Sequence, residues 1–254
     1  MDERDIGYWA ARLAGALEQS AASMACGPSG AAVAFSGGLD STIVAHLVCR
    51  RLDAAALWTV GMPGSKDLSR SKETASALGL AGRHVAIELT ENDVLDAAAS
   101  IRKLLPDCGR LETSFLLPAY LVFLRCTQKA VFTGDGADEL FGGYHRYVSM
   151  DEGTLASSLR SDAERLVDNG IARNRALASS AGKELLTPFL SGNVVALAME
   201  IPAGMKVCNG ARKLVLRRAA EILGIPPSIS NLPKTAAQYG SSVAKVLKKH
   251  DAVQ

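Results

Sequence analysis

Ala31-Ala32-Val33-Ala34-Phe35, followed at once by Ser36-Gly37-Gly38-Leu39-Asp40-Ser41, is the stretch that decides the fold. Five apolar residues in a row suit a short buried strand, and Ser36-Gly37-Gly38 ends it abruptly. Thr42 to Val48, opened by Asp40-Ser41, is apolar again and long enough for a helix. A strand that breaks on glycines and re-forms as a helix is the opening unit of a parallel α/β sheet. The pattern recurs on both sides. Residues 6–25 read as an amphipathic helix that Cys26-Gly27-Pro28-Ser29-Gly30 ends. Residues 54–60, 83–89 and 130–133 read as further strands, and 69–78, 93–105 and 118–128 as helices. From about residue 148 the strand pattern stops, and 152–182, 191–200, 210–223 and 241–250 read as helices. The expectation is an N-terminal helix over 1–30, an α/β domain over 31–147 and a helical part over 148–254 that completes the active site.

Composition narrows the functional classes. The 254 residues are 48% hydrophobic and 21% charged, the balance of a globular protein. Lys plus Arg number 28 against 26 acids, too even for a large basic surface, so no nucleic-acid partner is expected. No apolar run approaches the roughly 18 residues of a membrane span, and the acidic start Met1-Asp2-Glu3-Arg4-Asp5 is unlike a signal peptide. A cytoplasmic protein with no membrane partner is therefore expected. The five cysteines are scattered without a CxxC pair, which argues against a thiolate metal site and against disulfides. Asp2 follows Met1, so an N-terminal cysteine nucleophile is not expected either.

Two loops carry the chemistry. In Ser36–Ser41 the paired glycines let backbone approach a ligand, two hydroxyls offer short donors, and the following helix aims its first N–H groups into the same space. Phosphate oxygens fit such a cradle. The GxxxxGK[ST] loop is absent, and Asp40 stands where that loop carries lysine; a carboxylate there needs Mg²⁺ between itself and phosphate. The second loop, Thr133-Gly134-Asp135-Gly136-Ala137-Asp138-Glu139, follows another short strand and leads into Leu140-Phe141-Gly142-Gly143-Tyr144. Both loops fall at strand carboxyl ends, where parallel sheets bind ligands. Asp40 and Asp138 are thus the expected Mg²⁺ ligands.

At these residues the sequence resembles a known family. SGGLDS at 36–41 is similar to the pyrophosphate loop of the ATP-pyrophosphatases. With GDGADELFGGY at 134–144 it resembles the synthetase domain of the glutamine-hydrolysing asparagine synthetases, a family that includes β-lactam synthetases. Further similarities follow in order: Thr59-Val60-Gly61 with Gly64-Ser65 and Asp67; Glu184 with Pro188-Phe189-Leu190; Gly210 to Lys213 with Leu216-Arg217; and Pro233-Lys234 with Gln238-Tyr239-Gly240. The likeness spans about residues 31–242.

This resemblance implies a Rossmann-like, adenine nucleotide alpha-hydrolase-like fold and an AMP-forming amide ligase using ATP and Mg²⁺. A carboxylate of a small carboxylic or amino acid attacks the α-phosphorus, pyrophosphate leaves, and ammonia or another amine displaces AMP. It implies an ATP and pyrophosphate site at Ala34, Ser36, Gly37, Gly38, Leu39, Asp40, Ser41, Val60, Gly61, Thr133 and Gly134. Asp135 is implied beside the reacting carbonyl, and Lys234 as the lysine that steadies the transition state. No glutaminase segment precedes the likeness, so free ammonia, a separate glutaminase subunit or another amine is implied; a homo-oligomer stays open. Leu186-Thr187 and Ser191 stand where the family carries Arg and Asp around Pro-Phe-Leu, and Asn174-Arg175 where it often has Asp-Arg. Those departures bear on the acid, not on ATP. The competing expectations are another ATP-pyrophosphatase chemistry, such as tRNA modification, and a non-catalytic ATP-binding subunit.

Overall fold

The computed structural model describes residues 3–166, 171–233 and 236–251. After helix α1 (Glu3–Ala25) the chain enters strand β1 (Ala31–Ala34), helix α2 (Leu39–Cys49), β2 (Ala56–Gly61), α3 (Lys66–Ala77) and β3 (His84–Glu88). Then come α4 (Glu91–Leu104), α5 (Arg110–Arg125), β4 (Ala130–Phe132) and the short α6 (Ala137–Phe141). The second half holds α7 (Glu152–Arg165), α8 (Ile171–Ser180), β5 (Glu184–Leu186), α9 (Gly192–Glu200) and α10 (Ala203–Lys206). A two-residue hairpin, β6 (Val207–Cys208) and β7 (Ala211–Arg212), leads to α11 (Leu214–Ile222), α12 (Pro227–Ser230), α13 (Ala237–Gly240) and α14 (Val243–Asp251).

Five parallel strands form the main sheet in the order β3-β2-β1-β4-β5. Alternation along the strands sends side chains to two separate cores. Ala31, Val33, Leu57, Ala130 and Phe132 join the core built with α1, α2, α9 and α11. Ala32, Trp58, Val60 and Val131 join the other, with α4, α5, α8 and α14. Leu13 and Leu17 of α1 are fully buried, each worth about 1.5–3 kcal/mol of apolar transfer, which fixes α1 to the first face. The expected parallel sheet flanked by helices is therefore the fold. After β1 the chain builds outward through β2 and β3, then returns to the other side of β1 with β4. The switch point lies between β1 and β4, the strands that precede the two chemistry-bearing loops.

Three details correct the sequence expectation. Strands do not stop at 148, because Glu184–Leu186 pairs parallel with β4 as the fifth strand. Residues 210–213 are not helical: Asn209 (φ 49°) and Gly210 (φ 79°) turn the β6–β7 hairpin, and α11 starts only at Leu214. Helix α5 begins at Arg110, two turns before Pro118, with Glu112 accepting the Gly109 N–H at 3.0 Å as its cap. Pro118 therefore sits inside the helix, where it costs one backbone hydrogen bond. Among the described residues no helix is long and apolar enough to cross a membrane. The five cysteines are unpaired thiols, as expected.

Candidate active site

Loop 36–41 is tied together by its own hydroxyls. The Ser36 N–H donates to Ser41 Oγ at 3.2 Å, Ser41 Oγ donates to the Gly38 carbonyl at 3.1 Å, and the Gly38 N–H donates to Ser36 Oγ. Gly37 takes φ 70°, and a Cβ there would lie 2.8–2.9 Å from the Arg70 and Ser71 backbone, so the turn requires glycine. No side chain caps α2 at Gly38; Asp40 turns away from that task, and the N–H groups of the first helical turn face the loop.

Asp40 points instead at Lys213. Lys213 Nζ lies 2.5 and 2.6 Å from the two Asp40 carboxylate oxygens and 2.6 Å from Asp138 Oδ1. The lysine side chain is 4% exposed, whereas Asp40 and Asp138 are about a quarter exposed (24% and 23%). Three elements far apart in sequence deliver this triad: the start of α2, the short α6 and the junction after β7. Lys213 itself adopts φ 57°, the left-handed region, which costs a lysine of order 1 kcal/mol or more. A Cβ on Gly143 would collide with the Asp138 carboxylate and lie 2.5 Å from Lys213 Cε, so glycine there makes room for the lysine stem. Burial alone would push the Lys213 ammonium toward neutrality, but Asp138 and Asp40 outweigh it and hold the pKa above the ordinary value. Lys206 shows the contrast. It is buried, its ammonium donates to the Ala198 carbonyl, and burial lowers its pKa to about 8.

A cavity of about 200 Å³ opens beside the triad, lined by Ala34, Ser36, Gly38, Leu39, Asp40, Ser41, Val60, Thr133, Gly134 and Asp135 from the expected set. Gly37, Gly61 and Asp138 shape the surrounding backbone without lining it. Lys234 lies outside the described residues, although its neighbour Pro233 lines the cavity. The sequence reading left out the apolar wall of Trp58, Pro118, Ala119 and Val122; Lys213 and Arg217, noted there only within a family likeness, form a cationic side. Pro118 thereby trades a helix hydrogen bond for a flat wall.

Asp135 reaches the cavity from the β4 loop. Thr133 Oγ1 donates to Asp135 Oδ2 at 2.8 Å, and Asn174 Nδ2 of α8 donates to the same oxygen at 3.1 Å. Burial pushes its pKa up despite those two bonds, and the Asp138 charge adds to the rise. Glu139, also raised by burial, accepts from the Tyr144 hydroxyl and so faces a structural partner. On the opposite rim Asp67 of α3 pairs with Arg70 at 2.6 Å, and Arg70 Nε donates to the Ser36 carbonyl at 3.0 Å. Asp67 is 3% exposed, and its burial raises its pKa to about 6 against the pull of Arg70. Two histidines take structural roles: His46 bonds the Leu223 carbonyl at 2.9 Å and His84 the Thr59 hydroxyl at 2.9 Å.

Sequence comparison places the chain in a family. The asparagine synthase family profile matches residues 12–155 and 149–252, and the chain belongs to that family. A Methanocaldococcus jannaschii protein assigned as a glutamine-hydrolysing asparagine synthetase is 28% identical over 92% of this chain and 50% of its own length. The glutamine-hydrolysing asparagine synthetase B of Escherichia coli is 30% identical over 85% of this chain and 42% of its own. The chain thus spans about half the length of the curated relatives it matches, or less. Among solved structures, the NMN synthetase of Francisella tularensis has a TM-score of 0.49 at 13% identity, covering 98% of this chain and 87% of that one.

Proposed function

We propose that this chain is an ATP-dependent, AMP-forming amide ligase. It adenylates a small carboxylic acid with release of pyrophosphate, then passes the acyl group to ammonia or another amine. The observation that carries the reading is the convergence at the sheet switch point. The glycine loop 36–41, the carboxylates Asp40 and Asp135 and the cations Lys213 and Arg217 surround one cavity with an apolar wall, and Asp138 meets Lys213 beside it. Adenine is the part of ATP that suits Trp58, Val60, Pro118 and Val122. The helix N-terminus and loop 36–41 suit the pyrophosphate that must leave.

Mg²⁺ fits the donor set. Asp40 and Asp138 offer hard oxygens aimed at a common point, and phosphate oxygens and water would complete the shell of an ion held there. When bound, the ion supplies neutralisation of the triphosphate charge. The protein's own groups do the rest. Arg70 fixes the Ser36 carbonyl and with it the loop's position. Asp135, its Oδ2 held by Thr133 and Asn174, would accept a proton from the incoming amine. Lys234, one residue beyond the cavity-lining Pro233, would meet the charge that gathers at the α-phosphate.

The acid need not be aspartate, because Leu186, Thr187 and Ser191 replace charged family positions; Thr187 is buried and Ser191 donates to Asn193 Oδ1 at 2.7 Å. ATP–pyrophosphate exchange across a panel of amino and carboxylic acids tests the proposal. Acid-dependent exchange, with AMP and pyrophosphate as products once ammonium is added, is the expected result. ADP and phosphate as the main products would overturn it.

A further inference from the structure

The contact that the proposed ligase chemistry leaves unexplained is the Lys213 ammonium held between Asp40 and Asp138. A divalent ion shared by two carboxylates must sit within about 2.1 Å of an oxygen from each. Lys213 Nζ already lies 2.5–2.6 Å from oxygens of both. Ion and ammonium therefore claim the same space, and their like charges make joint occupancy costly at this depth.

The surroundings show that the lysine is built into this position. Its backbone takes a left-handed φ of 57°, Gly143 leaves room for its stem, and Arg212 NH1 anchors that glycine by donating to the Gly143 carbonyl at 2.7 Å. Arg217, one helical turn further on, is fixed by its own bonds to the Arg212 and Ser230 carbonyls at 2.9 and 2.5 Å and lines the cavity beside Lys213. Two aspartates and one lysine leave the triad with one net negative charge, so a nucleotide-free divalent ion gains little by displacing the ammonium. A triphosphate changes the balance, since it offers Lys213 anionic oxygens within the same cavity.

We infer that Lys213 is a nucleotide-released plug of the metal site. It excludes a free divalent ion from Asp40 and Asp138, and it moves to the phosphates when a metal–nucleotide complex enters. The inference rests on the ligase reading only for the identity of the nucleotide. It adds that metal and triphosphate arrive together, with metal binding to the empty protein suppressed by the chain's own cation.

Electron paramagnetic resonance of Mn²⁺ with the nucleotide-free protein tests this without acid or turnover. The wild-type chain should bind Mn²⁺ weakly, and Lys213→Met, which keeps the stem but not the charge, should bind it tenfold or more tightly. Lys213→Gln provides the same comparison if the methionine variant does not fold. Adding Asp138→Asn to either should return Mn²⁺ affinity to the wild-type level. Tight Mn²⁺ binding by the wild type would overturn the inference. So would an unchanged affinity in a folded Lys213 variant, or a gain that survives Asp138→Asn. Exchange activity of the wild type is judged separately, so failure here and failure of the ligase reading are distinguishable.

Discussion

Replacing Asp67 by Asn should change the pH dependence of stability by a predictable amount. The carboxyl is 3% exposed, and burial raises its pKa from 3.8 to about 6 even though Arg70 stands 2.6 Å away. An acid whose pKa is higher in the folded state takes up protons on folding. Its contribution is therefore fully present below about pH 4 and is lost as pH rises through about 6. The rise to about 6 corresponds to roughly 3 kcal/mol at neutral pH. Asparagine keeps the size and an acceptor for Arg70 but cannot ionise. At pH 4 the variant and the wild type should have similar unfolding free energies. By pH 7 the variant should be the more stable by about 2–3 kcal/mol.

Urea unfolding followed by circular dichroism at pH 4, 5, 6 and 7 would measure this difference. Asp135 and Glu139 also have raised pKa values, but both are present in wild type and variant and cancel in the comparison. A difference that stays constant within about 0.5 kcal/mol across the series would refute the reasoning. It would mean that the ion pair with Arg70 cancels the effect of burial. The stability gain should carry a functional cost. Arg70 is oriented by the Asp67 charge and holds the Ser36 carbonyl, so the variant should bind ATP more weakly while folding better.

Two further outcomes are expected. Asp40→Asn and Asp138→Asn should each abolish ATP–pyrophosphate exchange with native circular dichroism, and the double variant should be no worse than either, since each empties one shared site; full additivity would mean separate roles. Lys234→Ala should lower kcat by on the order of 10²–10³ with ATP affinity and Tm little changed, and Lys234→Arg should rescue poorly; near-normal turnover would remove that loop from the active site.

What could be read from the sequence follows physical range. The strand ends at Phe35 and Thr133 were legible because an apolar run that breaks on glycine is a local signal, and a parallel sheet has ligand loops at those ends. Strand β5 was not. Its three residues, Glu184-Leu185-Leu186, are too few to show a period, and only the carbonyl and amide edge left open by β4 recruits them. The Asn209-Gly210 hairpin could have been read, since that dipeptide favours two consecutive positive φ values; the likeness of Gly210–Arg217 to a family helix masked it. Pro118 misled in the same way, taken for a helix start when the cap lay at Gly109.

Lys213 illustrates the deeper limit. From sequence Lys213 reads equally as a phosphate contact and as a helix-surface or salt-bridge residue, because its partner Asp40 is 173 positions away. Burial of a cation cannot be inferred from local composition, because its cost is offset only by carboxylates that the fold delivers. Yet the two aspartates were legible as a pair that lacked a counter-charge, and two acids drawn to one point in a partly buried cleft favour a cation between them. The sequence reading supplied Mg²⁺ for the loaded state. The folded chain brings Lys213 to the same two acids, 2.5–2.6 Å from oxygens of both, and the proposed alternation between ion and ammonium would account for a lysine at the centre of the site.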